Sequence, residues 1–170
     1  GRQTRGYLDV IPAKGGSAQF GDEALQIAHK FEDIPVAVCE KREEGIRMLH
    51  RVYQPNVVVL DDAFQHLAVQ RDLNILVIDA NRLPYEDLLL PAGNLREPLG
   101  TLKSADILVV NKVLDPEQIP LIKSRLAKWQ KPMAFCKPAF YGIKDFDGNF
   151  MTLSDQASVW AFAGIGNPSF

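Results

Sequence analysis

Residues 56–66, NVVVLDDAFQH, decide the fold class of this chain. Three consecutive valines and a leucine run directly into two adjacent aspartates, Asp61 and Asp62. A short β-branched run of this kind is typical of a strand buried on both faces of a parallel sheet. Because ligands of open α/β sheets bind at the carboxyl ends of the strands, we expect Asp61 and Asp62 to lie at the rim of a crevice, together with Gln65 and His66.

The paired aspartates are candidate metal ligands. Two like charges side by side are costly unless a cation or hydrogen-bond donors compensate them. Mg²⁺ is typically held by one or two carboxylates plus phosphate oxygens, so the pair is predicted to hold Mg²⁺ with nucleotide phosphates. The alternative is that Asp62 caps the next helix, and the two interpretations are compatible. His66 is equally suited to a substrate contact and to a structural role.

Strand-like and helix-like segments alternate along the rest of the chain. Helical periodicity or capping predicts helices at 22–31, 40–53 and 115–129. Apolar runs predict strands at 7–11, 34–39, 56–62, 73–80, 106–112, 133–140 and 159–165. Asp147-Gly148 predicts a hairpin between 142–146 and 149–153. This order predicts an α/β fold with a mostly parallel, doubly wound sheet and an appended β-hairpin.

Composition excludes several classes of protein. The net charge is −2, which gives no global attraction to nucleic acid. The two cysteines, Cys39 and Cys136, lie far apart in apolar runs and are predicted to be buried free thiols. No apolar run approaches the ~20 residues that span a bilayer, and no signal peptide opens the chain.

Two further groups of residues are candidates for chemistry. In Gly21-Asp22-Glu23 a carboxylate behind a glycine suits a general base or a metal ligand, and first-turn helix stabilisation is the alternative. The loop 91–98, PAGNLREP, carries Arg96 and Glu97, which suit an anion and a metal contact or an ordinary solvated ion pair. Arg42 follows the strand predicted at 34–39. Its side chain is expected either to reach the crevice of Asp61 and Asp62 or to cover the surface. The glycine-rich turn 164–168 is weak evidence for a nucleotide site.

The phosphate-binding pattern Gly-x4-Gly-Lys-Ser/Thr occurs nowhere in the 170 residues. If Asp61 and Asp62 form the metal-holding half of a nucleotide site, we expect the phosphate-holding half upstream of Gly1. The chain starts without methionine and ends after an apolar segment, so we expect residues 1–170 to be an interior fragment of a larger chain.

Taken in order, these motifs resemble the tetraacyldisaccharide 4'-kinase family of Gram-negative bacteria over the whole chain. The blocks that carry the resemblance are GDE at 21–23, Arg42, DDAFQH at 61–66, RD at 71–72, LPAGNLRE at 90–97 and AGIGNP at 163–168. The departure is Ala63, where the family usually has glycine. The resemblance implies that residues 1–170 are part of a kinase domain with the P-loop kinase fold.

The resemblance also implies the roles of individual residues. Asp22 matches the catalytic carboxylate, and His66, which completes the metal block, is also implied to be catalytic. Asp61, Asp62 and Glu97 match metal-site positions. Substrate and phosphate contacts are implied for Glu23, Arg42, Gln65 and Arg96.

The implied reaction transfers the γ-phosphate of ATP, with Mg²⁺, to the 4'-hydroxyl of a tetraacyl glucosamine disaccharide 1-phosphate, the lipid A precursor. The implied place is the cytoplasmic face of the bacterial inner membrane, contacted through parts outside this chain, and no nucleic-acid partner is expected. We expect the fragment to be inactive alone. Two alternatives are a non-catalytic nucleotide- or partner-binding domain and a receiver-like phosphoacceptor built on Asp61-Asp62, Asp79 and Lys112, against which the spacing argues.

Overall fold

A computed structural model describes residues 3–66, 68–89, 91–93, 95, 97–145, 147–154 and 158. The chain divides into two compact units, Gly1–Asp72 and Leu73–Phe170, which we describe separately.

The first unit packs helices beside a short antiparallel strand pair. Strands β1 (Leu8–Asp9) and β2 (Ala37–Val38) pair with Leu8 opposite Val38. The helices are α1 (Ser17–Phe20), α2 (Asp22–Lys30) and α3 (Arg42–Tyr53). Val10, Phe20 and Ala28 form the buried core between these elements. Helices α2 and α3 confirm the predictions for 22–31 and 40–53, and β2 is shorter than predicted because Pro35 cannot donate to a ladder.

The prediction of a strand buried on both faces at 56–62 is wrong. Residues 57–60 are not in a strand and make no ladder with any part of the chain that the structure describes. Burial alternates along the segment: Val57 and Val59 are 76% and 87% exposed, whereas Val58 and Leu60 are half-buried. A run of valines favours extended backbone, but a two-sided strand also needs neighbouring backbone and a layer on each face.

The second unit is built on a parallel sheet. Its strands are β3 (Ile75–Asp79), β4 (Ile107–Asn111) and β5 (Met133–Phe135), in the order β3-β4-β5. Asp79 lies opposite Asn111 at the carboxyl edge. Helix α4 (Ile119–Leu126) follows β4, and its Ile122 and Leu126 are fully buried with Leu108 and Val110 of the sheet. The predicted parallel sheet is therefore present in this unit.

The predicted helix 115–129 is divided into three pieces. Short 3₁₀ turns at Pro116–Gln118 and Ala127–Trp129 flank α4. Asp115 caps the first turn as predicted, since its carboxylate accepts from the Glu117 N–H at 2.9 Å. Pro116 and Pro120 donate no backbone hydrogen bonds, which favours the break at the beginning of the helix.

The predicted hairpin is confirmed in shortened form. Strands β6 (Ile143–Lys144) and β7 (Phe150–Met151) pair antiparallel. The Asp145 carboxylate accepts from the Asp147 and Asn149 N–H groups, and Gly148 has a φ of 86°. The strand predicted at 159–165 and the turn at 164–168 lie outside the described residues. No helix in the described parts of the chain is long and apolar enough to cross a membrane.

Candidate active site

Asp22 and Glu23 occupy the first turn of α2. Gly21 precedes them with φ 88° and ψ 151°, a conformation open essentially to glycine alone. Both carboxylates are exposed and lie where the helix dipole favours negative charge. The glycine therefore sets the direction in which the chain enters α2 and carries the two acids.

Arg42 begins α3 and is tied to the end of β2. Its Nη1 donates to the Cys39 carbonyl oxygen at 2.6 Å. Gly45, one turn further on, lies close to the same residue, since an added Cβ would be 3.0 Å from Cys39 Cβ.

Cys39 is buried as predicted, whereas Cys136 is exposed, which corrects the prediction that both thiols are buried. Cys136 lies just beyond β5, which ends at Phe135, and its side chain is therefore outside the buried core of the sheet.

The two aspartates lie in a turn that Arg71 holds. Arg71 Nη1 donates to the Ala63 carbonyl at 2.6 Å and to the Phe64 carbonyl at 3.1 Å. Asp62 has a φ of 45°, in the left-handed region, whereas Ala63 is buried and keeps a negative φ. The structure thus accommodates alanine at 63, since the positive φ falls on its neighbour.

Arg71 is the functional residue that sequence reasoning missed. It belongs to the family block at 71–72, for which the motifs imply no role, but its guanidinium donates two hydrogen bonds to the turn that follows Asp61 and Asp62. Its Nε is buried and makes no hydrogen bond with any described residue. No charge pattern predicts this contact, because the acceptors are backbone carbonyls.

A cavity of about 550 Å³ within the first unit collects four of the predicted site residues. Glu23, Arg42, Asp61 and Asp62 line it together with Glu40. The remaining wall is largely apolar and includes Ile27, Ile34, Val36, Ile46, Leu49, Val58 and Leu60. An apolar chamber with a few charged groups is the usual form of a ligand site.

The other predicted site residues are not brought to this cavity. Asp22 adjoins Glu23 on α2 but does not line the cavity, and Gln65 and His66 are exposed beyond the aspartates. His66 closes a turn by donating its N–H to the Ala63 carbonyl at 3.0 Å. Glu97 lies in the second unit, and Arg96 lies outside the described residues. The roles assigned to all these residues stay predictions.

The donor chemistry of the aspartate pair fits Mg²⁺. Asp61 and Asp62 are both exposed and offer hard carboxylate oxygens, the ligands that Mg²⁺ prefers. The described residues contain no group of three or more histidine, cysteine or acidic side chains placed to hold a metal. Mg²⁺ usually keeps several waters and takes one or two carboxylates, so a pair is a sufficient protein contribution.

Tyr53 is a polar group in the cavity wall that stays neutral. Burial, followed by the charge of Asp9 and its hydrogen bond, raises the pKa of the Tyr53 phenol above its ordinary value.

In the second unit, polar residues meet at the carboxyl ends of β3 and β4. Lys112 Nζ lies 3.0 Å from Asp79 Oδ2, and the two side chains are 25% and 30% exposed. Burial alone would raise the pKa of Asp79, but hydrogen bonds from the Asn81 N–H and from Lys112, with the charges of Lys112 and Arg82, hold that pKa below its ordinary value. The carboxylate is thus firmly ionised.

Comparison with known proteins identifies one family. A protein-family model described as LpxK, Tetraacyldisaccharide-1-P 4'-kinase, matches residues 1–170. A tetraacyldisaccharide 4'-kinase of Chlorobaculum parvum is 38% identical over 175 residues, covering 99% of this chain and 48% of the relative. One from Porphyromonas gingivalis is 35% identical, covering 98% of this chain and 49% of the relative. The chain spans about half the length of the curated relatives it matches.

A solved structure supports the fold class. The crystal structure described as the "apo" form of LpxK from Aquifex aeolicus in complex with ATP matches with a TM-score of 0.61 at 25% identity. The match covers 79% of this chain and 57% of that one. The α/β fold of the P-loop kinase type is confirmed.

Proposed function

This chain belongs to the tetraacyldisaccharide 4'-kinase family, and from that premise we propose that it serves the ATP-dependent phosphorylation of a lipid A precursor. The acceptor would be the 4'-hydroxyl of a tetraacyl glucosamine disaccharide 1-phosphate. The observation that carries the proposal is the cavity that gathers Glu23, Arg42, Asp61 and Asp62. Phosphoryl transfer requires mainly positioning and charge neutralisation, which paired acids and a guanidinium suit.

The proposed metal site consists of Asp61 and Asp62, and the metal-ligand role of Glu97 stays a prediction from the family resemblance. Mg²⁺ bound there would neutralise phosphate charge. Arg71 would act as a positioning residue, because it fixes the carbonyls of the turn that follows the aspartates. Arg42 and Arg96 would bind phosphate or acceptor oxygens, as guanidinium groups commonly do.

Asp22 is proposed to accept or orient the proton of the attacking hydroxyl. Its place in the first turn of α2, directly after a glycine held at φ 88°, supports this role because the backbone leaves little freedom there. Glu23, Gln65 and His66 would complete the contacts around the reacting groups, and His66 would act beside the metal site.

The proposed partners are ATP and the lipid A disaccharide precursor. The proposed location is the cytoplasmic face of the bacterial inner membrane, reached through parts outside this chain. The apolar wall of the cavity is compatible with an acylated acceptor, and the net charge of −2 gives no support for a nucleic-acid partner.

The test is phosphate transfer by the complete gene product. Radiolabelled γ-phosphate of ATP should appear on the disaccharide, and Asp22→Ala should lower turnover by about 10²- to 10⁴-fold, the usual contribution of a general base. Asp33→Asn, an exposed acid just beyond the same helix, is the matched control and should leave turnover unchanged. Absence of transfer by the unaltered protein would contradict the function, and full turnover in Asp22→Ala would remove that residue from the mechanism.

A further inference from the structure

The second unit contains a long segment without acidic residues. Residues 118–144, which we call the basic segment, include none of the chain's 21 aspartates and glutamates. They include six of its 19 lysines and arginines: Lys123, Arg125, Lys128, Lys131, Lys137 and Lys144. The basic segment therefore carries +6, whereas the rest of the chain, with 13 basic and 21 acidic side chains, carries −8, which together give the net charge of −2. Such asymmetry within one chain indicates contact with an anionic partner.

Most of these cations lie on the surface. All except Lys131 are exposed. Arg125 follows Leu121 by one turn on α4, and Lys128 lies one turn further, in the 3₁₀ turn that continues the helix. Ile122 and Leu126 on the other side of α4 are buried against the sheet, so the basic side of the helix faces away from the core.

Exposed apolar side chains lie among the cations. Leu121 is 56% exposed, and Phe140 and Tyr141, between β5 and β6, are 84% and 87% exposed. Large apolar groups exposed together and rimmed by polar residues mark interaction sites. Aromatic and basic side chains are the usual composition of a surface that meets a bilayer, because rings lie at the level of the headgroups and cations are attracted to anionic lipids.

Two observations favour a bilayer over a nucleic acid. Bases bind by stacking on open aromatic faces. In the basic segment, Lys123 Nζ lies over the ring of Phe135, 5.4 Å from its centroid, and Lys128 Nζ lies 4.1 Å from that of Trp129. Leu121 has no face for stacking, whereas an aliphatic side chain contributes to binding at the boundary of headgroups and acyl chains.

We propose that the basic segment docks on the surface of an anionic bilayer. Leu121, Phe140 and Tyr141 would enter the headgroup region, and the exposed lysines and arginines would face lipid phosphates. This contact lies within the chain and adds to the membrane contact proposed for parts outside it. It draws on the proposed function only in that the acylated acceptor would be met at a membrane. Each cation near an anionic surface strengthens binding about fivefold, and added salt weakens this effect.

The test is binding of the complete gene product to vesicles of two compositions. Phosphatidylcholine alone gives a neutral surface, and added phosphatidylglycerol makes the surface anionic. Cosedimentation should show tighter binding to the anionic vesicles, with a preference that shrinks at high salt. A variant with Arg125→Gln, Lys128→Gln and Lys137→Gln should bind anionic vesicles roughly 10²-fold more weakly and neutral vesicles equally well.

The matched control removes three cations from the first unit, by Lys41→Gln, Arg47→Gln and Arg51→Gln. These side chains are also exposed, and their loss changes the net charge by the same amount. They lie among acidic residues, including Glu43, whose Oε1 is 3.3 Å from Arg47 Nη2. The control variant should keep the preference for anionic vesicles. Circular dichroism checks both triple variants, which are expected to fold because every replaced side chain is exposed.

A double variant, Phe140→Ser with Tyr141→Ser, tests the apolar part of the contact. Removal of apolar surface from water does not depend on lipid charge. This variant should therefore bind neutral and anionic vesicles more weakly by a similar factor, roughly tenfold. Unchanged binding to both would overturn the entry of the rings into the headgroup region.

The remaining outcomes each decide the inference. Equal affinity of the unaltered protein for the two vesicles would overturn it, as would a preference that survives in the basic-segment variant or is lost equally in the control. Loss of polyuridylate binding without loss of vesicle binding would indicate a nucleic-acid surface instead. Phosphate transfer to the detergent-solubilised disaccharide needs no vesicle, so transfer without lipid preference refutes the docking alone. Lipid preference without transfer leaves the docking intact and refutes the proposed function.

Discussion

The same sequence pattern forms a strand in the second unit but not in the first. LNILVIDA at 73–80 and NVVVLDD at 56–62 are both apolar runs that lead into aspartate, yet only the former contains a strand in the structure. β3 has its backbone laddered to β4, whereas 57–60 has no ladder within the described residues. The difference teaches that the pattern favours extended backbone, and that a neighbouring strand decides whether a strand forms.

The two units also hold their acidic ends differently. Asp79 is held by strand pairing and by the charge of Lys112. Asp61 and Asp62 lie at a turn in which Arg71 donates to the Ala63 and Phe64 carbonyls. Asp62 has a left-handed backbone conformation, with a φ of 45°. The residues proposed to hold a metal thus lie in a turn rather than at the end of a laddered strand, as binding residues on loops commonly do.

The largest expected effect contrasts one valine from each unit. Val110 of β4 is 0% exposed and Val59 is 87% exposed. Val110→Ala should lower the free energy of unfolding by about 2–3 kcal/mol, since it removes buried methyl groups and leaves a cavity. Val59→Ala should stay within about 0.5 kcal/mol. Urea denaturation of this chain measures both, and equal losses would show that 57–60 is buried like β4.

A smaller loss of stability is expected when the turn that follows Asp61 and Asp62 loses the hydrogen bonds from Arg71. Arg71→Met removes both hydrogen bonds to the Ala63 and Phe64 carbonyls, each from a charged donor, and should destabilise the turn by about 1.5–2 kcal/mol. Amide exchange at His66, whose N–H donates into the same turn, should accelerate by about tenfold or more.

Arg51→Met is the control for that substitution. Arg51 is an exposed arginine near the end of α3 and should leave the His66 exchange rate unchanged. If Arg71→Met also leaves this rate unchanged, strand-like support rather than Arg71 holds the turn, and the contrast between the units disappears.

A third prediction concerns the glycine before Asp22. Gly21→Ala should cost about 1–2 kcal/mol, because φ 88° with ψ 151° strains any residue with a Cβ. Crowding does not contribute, since nothing lies within 4 Å of an added Cβ. Gly16→Ala is the matched control, with φ −120° and equally open space, and should be neutral or slightly stabilising. Equal melting temperatures for the two variants would contradict the role of Gly21.

Much of the fold followed from the sequence because local signals decided it. The acids of Asp22-Glu23 marked the beginning of α2, Asp115 marked the cap of the α4 region, and Asp147-Gly148 marked the hairpin turn. Pro116 and Pro120 broke the beginning of the helix predicted at 115–129, which the hydrophobic pattern alone did not reveal. Local signals therefore fixed the type of each element better than its length.

The site was less predictable for a physical reason. The sequence offered Arg42 as a residue that reaches the crevice of Asp61 and Asp62, and all three line one cavity with Glu23. The support by Arg71 depends on backbone carbonyls that no residue pattern encodes.

The smallest expected effect contrasts one ion pair from each unit across pH. The pKa of Asp79 is lowered in the folded chain, so the pair with Lys112 contributes stability above the ordinary carboxyl value of about 3.9 and loses it as pH falls through the lower folded pKa. Asp79→Asn should therefore destabilise at pH 7 by less than about 1 kcal/mol, because the pair is partly exposed. The difference from the unaltered chain should begin to shrink as pH falls below about 4 and should vanish only below the folded pKa of Asp79.

The pair Glu43–Arg47 on α3 is the matched comparison, since both side chains are more than 60% exposed, at 65% and 71%. Glu43→Gln should change the free energy of unfolding very little at either pH, because solvent and salt screen an exposed i,i+4 pair. Urea denaturation at pH 7 and pH 3 measures both variants. An equal response of the two pairs would mean that the sheet edge gives Asp79 no more protection than an open helix surface, and that its depressed pKa has no consequence for stability.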